Sequence, residues 1–311
     1  MLYLVTGGAG FIGSNIVKEL LRRGEKVRVL DNFATGKREN LLPFNGNPNL
    51  EVIEGDLRSF HIVRDAVRGC DYVLHQGALP SVPRSIKDPI TSNEVNINGT
   101  LHILEAAREF GVKRVVFASS SSVYGNNATL PKVETMPVAP LSPYALTKYA
   151  GERYCQVFHA LYGIETVALR YFNVFGPNQD PTSQYSAVIP KFIKMIKEGR
   201  RPVIYGDGSQ SRDFTYVSNN VEANLLACTA PDVAGEVFNI ACGERYTLLD
   251  LVHTINEILG TRVEPLFEPP RPGDVKHSLA DIEKAKRMLG FEVKVKFREG
   301  LEKIISNKIV G

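Results

Sequence analysis

The opening of the chain alternates short apolar runs with one amphipathic segment. Residues 2–6 and 27–30 are apolar runs that favour β-strands, and residues 14–23 between them carry apolar positions at a helical spacing. Gly24 ends this helical pattern, and Asp31 directly follows the second apolar run. The pattern predicts a strand, a helix and a second strand, with a carboxylate at the end of the second strand.

The same alternation continues to about residue 170. We predict further strands over residues 51–54, 72–75, 113–119 and 166–170, and helices over about 60–68 and 96–110. The run from Val115 to Ala118 is apolar without alternation, which is typical of a strand that is buried on both faces. Strands that alternate with helices predict an α/β fold with a Rossmann-like, doubly wound parallel sheet.

Prolines and irregular stretches become more frequent beyond Tyr171. Residues 247–259 predict a helix, because Thr247 and Asp250 form a capping arrangement and Gly260 follows its end. The remaining predicted elements are helices over 190–199, 281–289 and 298–305, and strands over 203–205 and 237–241. We expect a Rossmann-like domain over residues 1–170 and a smaller α/β substrate domain mainly over 171–311, with segments near 213–241 returning to the first domain.

Glycines cluster at the first predicted turn between strand and helix. Residues 7–13 carry four of them, so the backbone can approach a pyrophosphate and the helix N-terminus can bind it. Asp31, eighteen residues after Gly13, can accept hydrogen bonds from a ribose diol. The first domain is therefore predicted to bind NAD, since a carboxylate would repel the 2′-phosphate of NADP. Lys37 and Arg38 keep NADP open as an alternative.

Composition and residue spacing argue against a nucleic-acid partner, a metal site and a membrane partner. A net charge of +3 without a basic run of five or more does not indicate a nucleic-acid surface. The four cysteines show no paired spacing, which fits reduced thiols in the cytoplasm, and the six histidines never pair at metal-ligand spacing, so we expect no metal. The sequence has no signal-peptide pattern and no apolar stretch of membrane-spanning length, so we expect no membrane association.

A tyrosine and a lysine stand four residues apart in a predicted helix. Tyr144 and Lys148 follow Ser142 and Pro143, a favourable N-cap and first helical residue, and their spacing places them on one helical face. A run of four serines, residues 119–122, ends the apolar strand that precedes them. The pair and the serines together indicate a site at the carboxyl edge of the sheet.

These residue types suit the oxidation of an alcohol. A tyrosine that acts as a base at pH 7 needs its pKa lowered by about 3 units, or roughly 4 kcal/mol. A lysine ammonium at about 4 Å would supply roughly that amount, and an oxidised nicotinamide adds a second positive charge. A serine hydroxyl can orient the alcohol while the tyrosine takes its proton and NAD⁺ takes the hydride.

The combined motifs resemble the extended short-chain dehydrogenase/reductase family. They are Gly7-x-x-Gly10-x-x-Gly13, the serine run and Tyr144-x-x-x-Lys148. Residues 170–173 (Arg-Tyr-Phe-Asn), 212–214 (Arg-Asp-Phe) and 271–274 (Arg-Pro-Gly-Asp) narrow the resemblance to nucleotide-sugar enzymes, over essentially the whole chain. It is greatest to the UDP-hexose 4-epimerases, and segments 81–85 and 273–281 resemble the branch that acts on UDP-N-acetylglucosamine.

The resemblance implies site residues of three kinds. The catalytic residues would be Ser120, Tyr144 and Lys148. Together with the strand ends, it gives as NAD-binding residues Gly7, Gly10, Phe11, Ile12, Gly13, Asp31, Asn32, Gly36, Asp56, Leu57, Gln76, Gly77, Ala78, Asn96, Ser119, Tyr144, Lys148 and Tyr171. The residues that would bind the UDP-sugar are Ser81, Arg84, Ser120, Ser121, Ser122, Asn173, Val188, Val203, Tyr205, Arg212, Arg271, Asp274 and Ser278. Arginines suit the diphosphate because their forked donors bind its oxygens bidentately.

The implied reaction is epimerisation at C4 of a UDP-hexose through a transient 4-keto sugar. The 4,6-dehydratases of the family place an Asp-Glu pair where Ser121 and Ser122 stand here, so dehydration is disfavoured. A UDP-uronate epimerase or decarboxylase and a non-catalytic NAD-binding sensor remain alternatives, although the intact Ser120, Tyr144 and Lys148 speak against a sensor.

Ser278 decides between acetylated and unacetylated sugars in this interpretation. Its position matches a gate that is a large tyrosine in epimerases confined to unacetylated sugars. A serine leaves room for an acetamido group, so UDP-N-acetylglucosamine and UDP-N-acetylgalactosamine are the predicted pair, with UDP-glucose and UDP-galactose as the alternative. The resemblance also suggests a homodimer through the helices near 96–110 and 144–162.

Overall fold

The computed structural model describes residues 1–180, 188–270 and 276–307 of the chain. Its strands are β1 (Leu2–Thr6), β2 (Lys26–Asp31), β3 (Leu50–Glu54), β4 (Tyr72–His75), β5 (Arg114–Ser120), β6 (Thr166–Tyr171), β7 (Val174–Phe175), β8 (Val203–Tyr205), β9 (Ser211–Arg212), β10 (Thr215–Tyr216), β11 (Glu236–Ile240), β12 (Tyr246–Thr247) and β13 (Leu266–Glu268). Its helices are α1 (Phe11–Arg22), α2 (Phe60–Val67), α3 (Val82–Lys87), α4 (Pro89–Asn93), α5 (Gly99–Glu109), α6 (Pro143–Tyr162), α7 (Val188–Lys197), α8 (Val217–Thr229), α9 (Leu248–Leu259), α10 (Glu283–Leu289) and α11 (Phe297–Asn307).

A parallel sheet of seven strands organises the described chain. Its order is β11-β6-β5-β4-β1-β2-β3, and every neighbouring pair is parallel. Because side chains alternate along a strand, Leu4 contributes to the core beneath α2, α5 and α6, whereas Val5 contributes to the core beneath α1 and α8. Helices cover both faces, which confirms the predicted Rossmann-like, doubly wound fold.

Most predicted elements occur within one to three residues of their predicted bounds. β4 and β8 have the predicted bounds, whereas α1 begins three residues earlier than predicted, at Phe11. The capping arrangement of α9 is present: the Thr247 side chain accepts from the Asp250 amide, and the Asp250 carboxylate accepts from the Thr247 amide. Local signals therefore place these elements correctly.

The pattern missed α8, the helix that follows β10. Its sequence contains three asparagines, which form helices poorly, and it shows little amphipathic period because it is buried on almost all sides. Asn219 is satisfied by tertiary bonds: its Nδ2 donates to the Val295 carbonyl, and its Oδ1 accepts from the Lys294 and Val295 amides. These partners are distant in sequence, so no local pattern shows them.

A second apolar core lies under the later elements. Phe175, Phe214 and Phe297 pack together with Ile193 of α7 and Leu251 of α9. Around this core run three small sheets, β7 with β10, β8 with β13 and β9 with β12. β11, in contrast, pairs with β6 in the main sheet, and α8 packs on that sheet. The division of the chain into two domains stays a prediction.

Candidate active site

The carboxyl ends of five strands bring the predicted chemistry to one edge of the sheet. They are Thr6 of β1, Asp31 of β2, His75 of β4, Ser120 of β5 and Tyr171 of β6. The strand order makes these five ends adjacent, and ligands of parallel α/β sheets bind at this edge. The structure thus gathers residues from separate motifs at one edge of the sheet.

The glycine turn between β1 and α1 is closely packed. A Cβ at Gly13 would lie 2.2 Å from the Gly7 carbonyl oxygen, and one at Gly7 would lie 2.8 Å from the Cα of Gly77. Gly7 also has φ +65°, which favours glycine, and Gly10 forms the N-cap of α1. The backbone therefore forms a side-chain-free cradle at a helix N-terminus, with Phe11 and Ile12 in its first turn.

Asp31 is fixed by the backbone around it. Its carboxylate accepts from the amides of Ala9 at 2.9 Å and Phe33 at 2.8 Å, and a Cβ at Gly36 would lie 2.8 Å from its Oδ2. Burial raises the pKa of Asp31, while the two backbone hydrogen bonds act in the opposite direction. Asp31 thus stands beside the glycine turn, as the motif requires.

The neighbouring predicted residues form a polar edge. Asn32 Nδ2 donates to Asp56 Oδ2 at 2.8 Å, and Arg58 lowers the pKa of Asp56 to about 2. Lys37 and Arg38, which had kept NADP open, pair with acids, with Asp180 at 3.2 Å and Glu54 at 2.7 Å respectively. These ion pairs leave the two cations less suited to a 2′-phosphate.

Two side-chain amides and one hydroxyl form a closed ring of hydrogen bonds near this edge of the sheet. Gln76 Nε2 donates to Asn224 Oδ1 at 3.0 Å, Asn224 Nδ2 donates to the Tyr171 hydroxyl at 2.7 Å, and that hydroxyl donates to Gln76 Oε1 at 3.2 Å. Gln76 and Tyr171 were predicted cofactor residues, whereas Asn224 was missed because it lies on the unpredicted α8. Gly77 and Ala78 follow Gln76 in the chain, and the Gly77 amide donates to Thr6 Oγ1 at 3.0 Å.

Asn96 stands in a π-helical turn, Glu94–Asn98, between α4 and α5. Its side chain accepts from the Leu79 amide at 2.7 Å and donates to the Leu79 carbonyl at 3.2 Å and to Thr147 Oγ1 at 3.0 Å. It therefore ties the segment after β4 to α6. π-turns occur often at functional sites. Leu57 is buried against the start of α5, since a Cβ added to Gly99 would lie 2.8 Å from the Cβ of Leu57.

The catalytic candidates meet where β5 ends and α6 begins. Ser120 Oγ accepts from the Ser122 amide at 3.2 Å and from the Ser122 hydroxyl at 2.9 Å, which leaves its own proton to donate. Ser120 lies beside the half-buried Tyr144 phenol and acts to lower its pKa. The predicted N-cap of α6 is confirmed, since the Ala145 amide donates to Ser142 Oγ at 3.1 Å.

The electrostatics of this pair differ from the sequence-based expectation. Burial raises the pKa of Tyr144, and the opposing influence is the Ser120 hydrogen bond rather than the Lys148 charge. Lys148 Nζ donates to the Ala118 carbonyl at 2.8 Å, and burial lowers the pKa of Lys148 to about 8. The pKa of Tyr144 is thus set here by burial and Ser120, and the lowering of this pKa by Lys148 stays a prediction.

The predicted sugar-side residues lie on several segments. Ser81 has φ +101° and its Oγ accepts from the Arg84 amide at 3.3 Å. Arg212 Nη1 donates to the Lys276 carbonyl at 3.1 Å, and the Ser278 amide donates to the Ser211 carbonyl at 3.0 Å. Segments 211–212 and 276–278 are therefore joined, which brings Arg212 and Ser278 into one region.

Asp213 links these segments from the interior. Its carboxylate accepts from the amides of Cys242 at 2.9 Å, Gly243 at 3.0 Å and Ala280 at 3.2 Å. Asn173 Nδ2 donates to the Asp213 carbonyl at 3.1 Å. Burial raises the pKa of the Asp213 carboxyl to about 6. Sequence reasoning singled out the motif of Asp213 but gave this residue no role.

The other sugar-side predictions are placed as follows. Val188 begins α7, Val203 and Tyr205 are the ends of β8, and Ser121 and Ser122 lie in the 3₁₀ turn after β5. Arg271 and Asp274 lie outside the described residues. Ser119, a predicted cofactor residue, donates its hydroxyl proton to Glu152 of α6.

A family model matches residues 3–241 of the chain, and its description is the NAD dependent epimerase/dehydratase family. The chain belongs to this family. The UDP-glucose 4-epimerase of Mycolicibacterium smegmatis is 38% identical, over 98% of this chain and 97% of that protein.

Two solved structures of family members are similar over nearly their full length. The UDP-N-acetylglucosamine 4-epimerase of Methanobrevibacter ruminantium, in complex with UDP-N-acetylmuramic acid, is 43% identical with a TM-score of 0.94, covering 99% of this chain and 98% of that one. The UDP-glucose 4-epimerase of Thermus thermophilus, in complex with NAD, is 39% identical with a TM-score of 0.88, covering 98% of each chain.

The site fits the dinucleotide that gives the family its name. The tightly packed glycine turn at the N-terminus of α1 can accept a pyrophosphate, and Asp31 stands at the adjacent strand end for a ribose diol. NAD is thus the cofactor of this chain, which is an NAD-dependent enzyme. Among the described residues, no cluster of three or more His, Cys, Asp or Glu is arranged to hold a metal, and no helix is long and apolar enough to cross a bilayer.

Proposed function

We propose that the chain interconverts UDP-N-acetylglucosamine and UDP-N-acetylgalactosamine, with some activity on UDP-glucose and UDP-galactose. The coarser activity follows from the family and its full-length relatives: the chain is an NAD-dependent UDP-sugar 4-epimerase. The proposal concerns the sugar, and the observation that carries it is the serine at position 278.

Ser278 supports the acetylated pair through its size and place. It is half-buried, and its backbone is held by Ser211, one residue from Arg212. A tyrosine at this point would add a ring to the region that Arg212 shares, and an acetamido group forced against it would cost about 1–3 kcal/mol in strain. A small gate admits both kinds of sugar, whereas a large gate admits only the smaller kind.

The chain's own groups would divide the proton chemistry between them. The glycine turn and Asp31 would hold NAD⁺, which would supply the acceptor for hydride from C4 of the sugar and its return to the opposite face of the 4-keto sugar. Tyr144 takes the 4-hydroxyl proton and later returns it, so the phenol ends in its starting state. Ser120 donates to the phenol oxygen and thereby stabilises its deprotonated form, which opposes the effect of burial on its pKa.

Lys148 contributes by position and charge. With a pKa of about 8 it is mainly protonated at pH 7, and its bond to the Ala118 carbonyl holds the first turns of α6 against β5. The 3₁₀ turn after Ser120 offers Ser121 and Ser122 in place of acids. The turn after Ser120 therefore suits reversible oxidation at C4, since its two serines are not acids that could eliminate water.

A panel of UDP-sugars tests the substrate proposal. The purified chain is incubated with UDP-N-acetylglucosamine, UDP-glucose and UDP-glucuronate, and the products are resolved by chromatography or NMR. Conversion of the acetylated sugar is the expected result, and Tyr144→Phe prepared identically controls for epimerase from the expression host. Turnover of UDP-glucose alone, or of the uronate alone, would overturn the proposal in favour of that sugar.

We also infer that two copies associate through the α5 and α6 region. α6 exposes Leu146, Val157, Leu161 and Tyr162, apolar or aromatic side chains along its outward surface. A second copy would cover them. Analytical ultracentrifugation should give a dimer, Leu161→Glu should weaken it, and a native monomer at micromolar concentration would contradict the inference.

A further inference from the structure

Helix α6 carries three polar residues at steps of four: Tyr144, Lys148 and Glu152. This spacing places them on one helical face. The first two are catalytic candidates, whereas the third had no role in the sequence analysis. Glu152 is nevertheless almost completely buried, with 1% of its side chain exposed.

Glu152 is fully engaged by two partners. Arg170 donates to both of its carboxylate oxygens, from Nε at 2.9 Å and from Nη2 at 2.8 Å, and Ser119 donates to Oε1. Arg170 is itself only 5% exposed. A buried ion pair is costly unless its geometry satisfies both groups, and this forked arrangement does so.

The pair completes a continuous contact between α6 and β5. A Cβ at Gly151 would lie 2.3 Å from the Phe117 ring, so the helix packs directly on the side chain of this strand residue. Along β5, Phe117 is followed by Ala118, whose carbonyl accepts from Lys148. Ala118 is followed by Ser119, whose hydroxyl donates to Glu152. The following residue of β5 is Ser120, the partner of Tyr144.

Arg170 anchors the other side of the pair in the sheet. It lies opposite Ser119 in the pairing of β6 with β5, and its guanidinium lies 4.7 Å from the centre of the Tyr124 ring. The Tyr124 hydroxyl donates to Asn239 Oδ1 of β11 at 2.7 Å. The carboxylate of α6 is therefore bonded to β5 and β6, and Arg170 contacts the ring of Tyr124, which is itself bonded to β11.

We propose that Glu152 and Arg170 are positioning residues that set the place of α6 against the carboxyl ends of β5 and β6. In this way they align the Tyr144 hydroxyl with Ser120. The proposal rests on the proposed function for its kinetic consequence, although the alignment itself is a property of the protein. A misplacement of about 1 Å at a reacting group can cost about 100-fold in rate.

The principal test is Glu152→Gln, which keeps the size of the side chain and removes its charge. We expect kcat to fall about 10-fold to 100-fold, while KM for the UDP-sugar and the Kd for UDP change less than about 2-fold. Hydrogen exchange of the amides at residues 145–148 should become faster, because the helix face loses its anchor. If thermal melting shows this variant unfolded, Arg170→Lys replaces it, since the charge remains and the forked geometry is lost.

Glu165→Gln is the matched control. Glu165 pairs with Arg114 of β5 at 2.8 Å, so this ion pair also lies beside β5 and β6, but at their amino ends. We expect it to lower thermal stability without changing kcat or the exchange of residues 145–148.

The possible outcomes distinguish a positioning role of Glu152 from a general loss of stability. They also distinguish it from a failure of the proposed function. Unchanged kcat and exchange in a folded Glu152→Gln would overturn the proposal, and so would an equal loss of kcat in Glu165→Gln. If the native chain turns over no UDP-sugar, the proposed function fails, while the exchange comparison still decides whether Glu152 positions the helix.

Discussion

Ser120, Tyr144 and Lys148 lie on two elements, β5 and α6, that share a buried contact, whereas the sugar-side residues lie on several segments. In the first region, side chains bond across a strand and a helix that are otherwise apolar and tightly packed. In the second region, Arg212 and Ser278 are joined largely through backbone carbonyls and amides. Proton transfer tolerates little displacement, while sugar selection depends on side-chain size at the surface of a pocket.

The sugar-side region contains a buried carboxylate, Asp213, that is comparable with Glu152 of the chemical region. It is a buried carboxylate that gathers amides from two distant segments, as Glu152 gathers donors from β5 and β6. The difference is that the donors of Asp213 are neutral amides, so burial raises its pKa, whereas Glu152 has an arginine partner. The sugar-side region should therefore respond to pH in its stability, and the four predictions below test the contrast.

The largest effect should come from the chemical region. Tyr144→Phe removes the proton carrier but keeps the ring, so turnover should fall by about 10²–10⁴-fold, the usual contribution of an acid–base group. UDP binding by calorimetry and the melting temperature should remain near native. Full activity would remove Tyr144 from the mechanism and end the distinction between the two regions.

A pH series on Asp213→Asn tests the sugar-side region. The pKa of Asp213 is about 6 in the folded protein and 3.8 as its ordinary value, so the folded state binds the proton more tightly. The contribution of this group to stability is full below about pH 4 and is lost as the pH rises through about 6.

The native free energy of unfolding, relative to that of the variant, should therefore fall by up to about 3 kcal/mol between pH 4 and pH 7. Urea unfolding of both proteins across this range measures the difference. A difference that is constant with pH would show that Asp213 does not titrate in this window.

Asp31→Ala addresses the cofactor edge. Loss of the carboxylate should weaken NAD binding about 10-fold to 100-fold and relax discrimination against NADP, as expected for removal of a hydrogen bond to a charged group. The Ala9 and Phe33 amides donate to different oxygens of Asp31, so the variant's melting temperature is measured as the control for disturbance of the glycine turn. Native protein that shows no preference for NAD over NADP in titration would contradict this prediction.

Ser278→Tyr should have the smallest overall effect, because it acts on one kind of substrate. We expect kcat/KM for the acetylated pair to fall about 10-fold, consistent with a strain of about 1–3 kcal/mol, while the unacetylated pair is largely spared. Ser278→Ala keeps a small side chain and should behave as native. Equal losses for both pairs would show that the position affects the fold of the segment rather than the size of the pocket.

Where local chemistry was decisive, the sequence was sufficient to predict structure. The strand, glycine turn and helix at the start of the chain depend on residues within a few positions of one another, as does the capping of α9 by Thr247 and Asp250. The apolar run of β5 likewise predicts a strand that is buried on both faces.

The placement of Ser120, Tyr144 and Lys148 at one strand end also followed from sequence, because parallel strands expose their carboxyl ends at a common edge. The shifts of their pKa values did not follow from the sequence. The pKa of Tyr144 depends on how deeply the fold buries it and on where the Lys148 ammonium points, and neither is encoded in the spacing of the two residues.

The sequence by itself therefore determined the sheet and the glycine turn, and it predicts which side chains react. Only the tertiary structure decided that residues 217–229 form a helix, that Asn224 closes the ring with Gln76 and Tyr171, and that Glu152 bonds to Arg170 and Ser119. The physical reason is range: a cap or a glycine turn is complete within about one turn of chain, whereas a buried polar group is satisfied by whichever distant segment the fold brings to it.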